Sequence, residues 1–299
     1  MSEGREGTVT PVMSPEVVAD GFYMPECPRW HDEQLFMVDI FGHQILRIDQ
    51  QGGKHVVHQF AAHEDAGGIG WLPDGRLLAV EQLSRTVFTI SDNEASVYAD
   101  LSGFQPYPLN DMIVAADGTA YVSGFGWDVW GGGNFAESGL LRILPDGSTD
   151  VAVQAMRAPN GLALTEGGDA LYVAEPGGAR FRRFTVEPDG TLTGAELVTP
   201  QGGDDAPVVI PDGICLDDQG GVWAADPVHA RVLRVGADGS TDVVIPLAQG
   251  HPLACVLGGP DRRTLFIAVS DITSKSELTA QPGGCLLSVQ VDYAGTGRP

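Results

Sequence analysis

Short runs in which apolar and polar residues alternate dominate the chain. They are rich in β-branched and aromatic residues and are separated by clusters of Gly, Asp and Pro; six of them read LFMVDI, RLLAVEQ, TAYVSGF, ALYVAEP, GVWAADP and TLFIAVS. A period of two residues with turn formers at both ends indicates β-strands. No stretch with helical periodicity exceeds two turns, so the pattern predicts an all-β protein.

The runs are copies of one repeating unit. Each unit opens with a short strand, continues through a turn of the PDG or DQGG kind to a second strand, and ends with a third. The opening positions lie near 26, 67, 110, 160, 212 and 253, at steps of 41, 43, 50, 52 and 41 residues. Six units of this length, with three or four strands each, predict a six-bladed β-propeller.

The ring of blades should form one domain and should close on itself. One blade cannot cover its own apolar faces, so we expect residues 1–299 to form a single propeller domain. The segment Val9–Val18 has no place inside a repeat, and the run Cys285–Val291 ends the last one. We expect these two segments to pair, which would remove the exposed sheet edges. Two stacked β-sandwiches are the alternative architecture, but six in-register copies favour the propeller.

The charge balance argues against several classes of partner. The 17 basic and 40 acidic residues give a formal charge of −23, which disfavours nucleic acid and anionic membranes. No apolar run is long enough to span a bilayer, and the first 24 residues lack the basic start and apolar core of a signal peptide. The four cysteines form no CxxC pair. We therefore expect a cytoplasmic protein with reduced thiols, and the preference for Arg over Lys favours a bacterial source.

In a propeller the innermost strand of each blade lines a central channel, and the residue that starts this strand lies at one mouth. The residues in this position, which we call the hub residues, are Glu26, Gly67, Asn110, Asn160, Asp212 and Leu253. Four of them carry side-chain oxygens. Such ligands suit one hard divalent cation, with calcium expected first and magnesium or manganese as alternatives; zinc is also possible, although no His or Cys ligand is at hand.

The hub residues also have a purely structural interpretation. Asn-Gly and Asp-Gly form tight turns, and PDG recurs at 73–75 and 145–147, where we predict ordinary hairpin turns. Register separates the two uses, because Asp74 lies between the first and second strands of its blade whereas Asp212 precedes the first.

The loops that follow the second strand of each blade should open on the same face as the hub. The third of these loops, GFGWDVWGGGN, is the longest and the richest in aromatic residues. The candidate substrate contacts are Asn110, Phe125, Trp127, Trp130, His229 and His251. An aromatic flap over a cation would form an apolar pocket. Plain blade packing remains the alternative for the aromatic side chains, and a structural role remains open for His251.

These motifs together resemble the SMP-30/gluconolactonase/luciferin-regenerating-enzyme family. The resemblance covers nearly the whole chain and is carried by E-x-P-x-W at 26–30, N-D at 110–111, PNG at 159–161 and PDG at 211–213. It implies a six-bladed propeller whose usual chemistry is hydrolysis of lactones, with organophosphates as substrates of some relatives.

The resemblance also implies roles for individual residues. One divalent ion would be held by Glu26, Asn160 and Asp212, and Asn110 would contact the metal or the substrate. Sugar-lactone members carry an Arg two residues before the N-D Asn, and here that position is Pro108. A less polar lactone or a related ester is therefore expected, and a sugar lactonase with an atypical clamp is the alternative.

The expected chemistry is metal-assisted hydrolysis of a small lactone or ester. The metal would polarise the carbonyl, and Asp212 would act as the general base that activates water. Asp212 could instead be the nucleophile. A non-enzymatic propeller with a structural metal is the rival, because fold alone does not determine function. The sequence does not indicate an oligomeric state.

Overall fold

The computed structural model describes residues 14–91, 94–201, 208–271 and 275–296. Strand β1 is Glu16–Phe22 and the last strand, β25, is Gly295–Thr296. The strands between them, grouped by sheet, are β2–β5 (Pro25–His31, Gln34–Asp39, Gln44–Ile48, Lys54–Gln59), β6–β9 (Ala66–Trp71, Leu77–Glu81, Thr86–Ser91, Glu94–Asp100), β10–β13 (Leu109–Val114, Ala120–Gly124, Ser138–Ile143, Thr149–Met156), β14–β17 (Leu162–Leu164, Ala170–Glu175, Arg180–Val186, Leu192–Val198), β18–β21 (Ile214–Asp217, Val222–Asp226, Arg231–Val235, Thr241–Pro246) and β22–β24 (His251–Gly258, Thr264–Ser270, Gly284–Gln290).

Helical structure is sparse in the described part of the chain. It consists of one α-helix, Lys275–Leu278, and two 3-10 turns, Pro176–Gly178 and Pro227–His229. None of the helices among the described residues has the length and apolar character that a membrane crossing requires.

The six sheets are the blades of a six-bladed β-propeller, as the repeat predicts. In each blade, strands consecutive in the chain pair antiparallel to one another. The first strands β2, β6, β10, β14, β18 and β22 contact the first strands of the neighbouring blades, so they are the innermost strands and surround the channel. They begin at residues 25, 66, 109, 162, 214 and 251, close to the positions that open the sequence repeats.

The sixth blade closes the ring, because strand β1 from the start of the described chain joins β22–β24 in one sheet. Strand β1 pairs antiparallel with β24, with Glu16 opposite Ser288 and Phe22 opposite Gly284. The pairing strand thus starts later than the predicted segment 9–18, of which residues 9–13 lie outside the described residues. The reason is packing, because Phe22 is fully buried in the cluster between the sixth and first blades, whereas Val17 is exposed.

The hydrophobic core is divided into six clusters, and each one lies between two neighbouring blades. Each face of a blade is therefore covered by the next blade, which is the reason that alternating strands suffice to build the ring. The cluster between the fifth and sixth blades contains Cys215 and Cys255, and all four cysteines are free thiols. Three of the cysteines are buried and Cys285 is half-buried.

Four blades end their second strand with a buried carboxylate, which we call a latch carboxylate. The latch carboxylates are Asp39, Glu81, Glu175 and Asp226. Each accepts a hydrogen bond from a backbone N–H in the segment that leads into its own blade; the donors are, in the same order, Met24, Asp65, Arg157 and Ile210. The latch carboxylates thereby fix the chain as it enters the hub, and the sequence analysis did not recognise them.

Candidate functional site

The hub residues lie at one level around the channel because the blades share a register. In four blades, the residue just before the hub position pairs with the last residue of the second strand. The pairs are Pro25 with Asp39, Ala66 with Glu81, Leu109 with Gly124, and His251 with Ser270. The next residues, Glu26, Gly67, Asn110 and Pro252, therefore share one level.

The fourth and fifth blades follow the same register through backbone hydrogen bonds. The N–H of Asn160 donates to the carbonyl of Ala174 at 2.9 Å, and that of Asp212 donates to the carbonyl of Ala225 at the same distance. Each acceptor directly precedes a latch carboxylate. Asn160 and Asp212 therefore stand at the level of Glu26 and Asn110. In the sixth blade the hub position is Pro252 and not the predicted Leu253, because His251 pairs with Ser270, the last residue of β23.

The inner strands of the first three blades each contain a β-bulge just after the hub position. The pairing shifts between Glu26 and Arg29, between residues 66 and 69, and between residues 109 and 112. In the first blade Cys27 adopts a left-handed conformation with φ of 48°. A bulge bends its strand and redirects the side chains beside it, so the same local irregularity follows the hub position in all three blades.

The glycines of the PNG and PDG motifs serve close packing and not turn formation. A Cβ on Gly161 would lie 2.6 Å from the carbonyl oxygen of Asp212, and a Cβ on Gly213 would overlap Ala254 of the next blade. By contrast, Gly75 and Gly147 have φ of 87° and 83° and have no atom within 4 Å of the Cβ position. The two uses of the PDG motif are thus distinct: one is a hairpin turn, and the other lets inner strands approach so closely that the hub residues converge.

The pKa values of the two hub carboxylates are both raised. Burial and then the charge of Asp212 raise the pKa of Glu26 well above its usual value, and the N–H of Cys27, donated to Oε2 at 3.0 Å, opposes this only in part. Burial and then the charge of Asp111 raise the pKa of Asp212 to about 7. Oδ1 of Asp212 is buried without a hydrogen-bond partner. A buried carboxylate oxygen with no partner is costly, and a cation bound there would offset that cost.

The amide hub residues have free donor capacity. Asn110 and Asn160 are half-buried, and among the hydrogen bonds of the described residues none uses either side-chain amide. Two carboxylates and two amide oxygens at one level form a donor set of oxygens alone, which is the chemistry that a hard divalent cation prefers. The described residues contain no group of three or more His, Cys, Asp and Glu side chains that could hold a metal, so the amides are essential to any such site.

Two residues that the sequence analysis left without a role lie beside the hub. Asp111 is 5% exposed, and its Oδ1 accepts hydrogen bonds from Nη2 of Arg29 at 2.5 Å and from the N–H of Met112 at 2.7 Å. Arg29 is 4% exposed. A signal was present in the sequence, since an Arg within a run that is otherwise apolar or aromatic needs a buried partner.

The aromatic loop after β11 reaches two other blades. Trp127 packs against Phe125 and Phe135 with ring centroids 5.5 and 5.0 Å apart. Trp130 meets Phe41 of the first blade edge to face at 5.3 Å. Phe135 lies over Gly177 of the fourth blade, where a Cβ would be 2.8 Å from the ring. The loop therefore extends from the third blade toward the first and the fourth on the hub face.

The two candidate histidines are each tied through Nδ1. Nδ1 of His229 lies 2.9 Å from Oδ2 of the latch carboxylate Asp226, and Nδ1 of His251 lies 2.8 Å from the carbonyl oxygen of Pro227. Both partners are acceptors, so the Nδ1 of each ring acts as the donor. Both histidines belong to the arc of the fifth and sixth blades, opposite the side that the aromatic loop covers.

Comparison with known proteins agrees with this architecture. The family model of the SMP-30/gluconolactonase/LRE-like region matches residues 24–271. Pentonolactonase XacC of Haloferax volcanii is 25% identical over 95% of both chains, and the 6-deoxy-6-sulfogluconolactonase of Pseudomonas putida is 25% identical over 95% of this chain and 96% of that one.

Solved structures show the same fold. Regucalcin of Agrobacterium tumefaciens, a calcium-binding protein, superimposes with a TM-score of 0.77 at 17% identity and covers 96% of this chain and 97% of its own. The family model spans most of the chain. The chain belongs to the SMP-30/gluconolactonase/LRE-like family.

Proposed function

We propose that the protein is a divalent-metal-dependent hydrolase of lactones, or of related esters, whose active site is the hub. The observation that carries the proposal is the pair of half-buried hub carboxylates, Glu26 and Asp212, one of which has a buried oxygen with no hydrogen-bond partner. The names of the relatives support the reaction class, since they include pentonolactonase, 6-deoxy-6-sulfogluconolactonase and gluconolactonase.

Glu26, Asn160 and Asp212 would hold the cation, with Asn110 as a further ligand or a substrate contact. Calcium fits best, because its flexible coordination accepts carboxylate and amide oxygens together with water, and a relative of the same fold is described as calcium-binding. Magnesium, manganese and zinc remain alternatives for the metal-binding assay. When bound, the cation would polarise the lactone carbonyl and offset the two carboxylate charges.

Asp212 is the proposed general base. Its carboxylate, at the channel mouth, would accept a proton from the water that attacks the carbonyl carbon. The side-chain amide of Asn110 would donate a hydrogen bond to the carbonyl oxygen as negative charge develops on it. A role for Asp212 as nucleophile makes a different prediction: in a single turnover in ¹⁸O-labelled water, the label would enter the protein before the product.

The rim favours a substrate that is less polar than a sugar lactone. The aromatic loop presents Trp127 and Trp130 on the hub face, and Pro108 replaces a charged clamp. Apolar ring surface gains from contact with alkyl or aryl groups and offers no hydrogen bonds to sugar hydroxyls. The sugar lactonase is the second candidate, and the names of two relatives favour it.

A panel of aryl, alkyl and sugar lactones, assayed with calcium and with EDTA, tests the proposal. We expect EDTA-sensitive hydrolysis with the largest kcat/KM on an aryl or alkyl lactone. A preference for sugar lactones would replace the first candidate by the second. Hydrolysis that EDTA leaves unchanged would contradict the metal-dependent mechanism, and no hydrolysis of any lactone would favour a non-enzymatic propeller.

A further inference from the structure

The guanidinium of Arg29 joins the inner strands of three blades. Nε donates to the carbonyl of Ile69 on β6 at 3.2 Å, and Nη2 donates to the carbonyl of Met112 on β10 at 2.9 Å. Nη1 donates to the carbonyl of Pro28 on its own strand, β2, at 3.0 Å. These strands carry the first three hub positions. One rigid planar group therefore spans the strands that present Glu26 and Asn110, which a flexible Lys could not do with the same geometry.

Asp111 adds a fixed charge at the same place. Its Oδ1 is held by Arg29 and by its neighbour's N–H, and its charge contributes to the raised pKa of both Glu26 and Asp212. Asp111 directly follows the hub residue Asn110 in β10, and its bonded oxygen faces Arg29.

We propose that the Arg29–Asp111 ion pair is the positioning element of the cation site. Arg29 fixes the relative placement of the inner strands of the first three blades, and Asp111 anchors Arg29 and supplies a negative charge behind the ligands. This inference rests on the proposed function insofar as the hub binds a divalent ion, and it assigns the pair no contact with substrate.

Calcium titration of metal-stripped protein by isothermal calorimetry tests the pair independently of turnover. Asp111→Asn keeps acceptors for Arg29 and for the N–H of Met112 but removes one charge. We expect its Kd for calcium to rise about 10–100-fold, the usual effect of losing a partner of metal ligands. Arg29→Lys keeps the charge but loses the planar fork, and its Kd should rise as well.

The chain offers a matched control in a second buried ion pair. Asp217 is 1% exposed, and its Oδ2 accepts from Nε of Arg234 at 2.6 Å. It ends β18, the strand that Asp212 precedes, so it lies at the far end of that strand from the hub. Asp217→Asn should lower Tm and leave the Kd for calcium within about twofold of wild type.

The possible outcomes distinguish a failure of the proposed metal site from a failure of the role proposed for the ion pair. Unchanged Kd in Asp111→Asn, with or without a lower Tm, would overturn the role of Asp111 and reduce the pair to a structural one. Unchanged Kd in Arg29→Lys alone would overturn the positioning role of Arg29. Wild-type protein that binds no calcium, magnesium, manganese or zinc would overturn the metal site itself and this inference with it, whereas a wild type that binds while both variants bind equally well overturns only the inference.

Discussion

Glu175 and Asp212 are both carboxylates on the hub face, yet their surroundings are opposite. Glu175 accepts hydrogen bonds from the N–H of Arg157 and from the guanidinium groups of Arg180 and Arg182 at 2.7 to 3.0 Å. Burial alone would raise its pKa, but these donors outweigh burial and lower it. Asp212 has a buried oxygen without a partner, and its pKa is raised to about 7.

The contrast shows how to tell a structural carboxylate from a functional one in this fold. Carboxylates recur around the ring, and four blades use them as latches. A latch carboxylate is satisfied by the protein itself, so it needs nothing further. The hub carboxylates lack sufficient protein partners, and this deficit, rather than the number of acidic residues, supports the proposed site.

The largest expected effect belongs to the hub. Asp212→Asn should lower kcat by about 10²–10⁴-fold, because it removes the general base. The fold should survive, because the buried Oδ1 of Asp212 makes no hydrogen bond that the substitution could break. Lactonase assays, with circular dichroism of the same preparation, check this. Activity equal to wild type would exclude Asp212 as the base.

A latch variant should show the reverse pattern. Glu175→Gln leaves Arg180 and Arg182 without their counter-charge and should reduce the free energy of unfolding by about 3 kcal/mol, at the lower end for a broken buried pair because both guanidinium groups retain solvent contact. Activity per folded molecule should stay near wild type. Urea unfolding measures the first quantity. A fall in kcat without loss of stability would mean that Glu175 belongs to the site.

Calcium should stabilise the protein most where the hub carboxylates are ionised. At 100 times Kd the gain is about 2.7 kcal/mol. Without the ion, the native state holds a proton on Asp212 that the unfolded chain has already released, so stability should fall as pH rises from about 4 through about 7. Thermal unfolding of metal-free protein across this range measures the slope. Asp212→Asn should flatten it, and a slope that the variant leaves unchanged would assign it to another group.

The smallest expected effect concerns the rim. Trp130→Ala removes the contact with Phe41 and should raise KM for an aryl lactone about tenfold, or about 1.4 kcal/mol. Trp71 is a suitable control, since it stacks on His31 at 4.0 Å and ends the strand whose start is at the hub. Trp71→Phe should leave KM unchanged. If Trp130→Ala also leaves KM unchanged, the loop serves blade packing and not substrate binding.

Much of this architecture can be predicted from the sequence, because each copy of the repeat has the same need to bury its apolar faces. Six copies of the same strand and turn pattern must each bury both faces, and only a ring satisfies all of them. The register of the hub followed from the same alignment, and it locates Asp212 and Asn160 without knowledge of contacts. The sixth blade is the exception, because the pairing of His251 with Ser270, which makes Pro252 the hub position, cannot be recognised in HPLACVL.

Other features depend on contacts that no local pattern encodes. Arg29 and Asp111 are 82 residues apart in sequence, and they meet only because the first and third blades converge on the channel. Trp130 reaches Phe41 across the same convergence. Strand β25, which pairs with Leu216 and Asp217 of the fifth blade, is two residues long and carries no strand signal. Such pairings become visible only when the ring is assembled.

The most direct test of the account is a crystal structure of the protein with calcium, phased so that the ion is located by its anomalous scattering. The account predicts one ion at the channel mouth, with oxygens of Glu26, Asn160 and Asp212 at about 2.3–2.6 Å. An ion bound elsewhere, or side-chain oxygens of these three residues too far apart to share one ion, would contradict it.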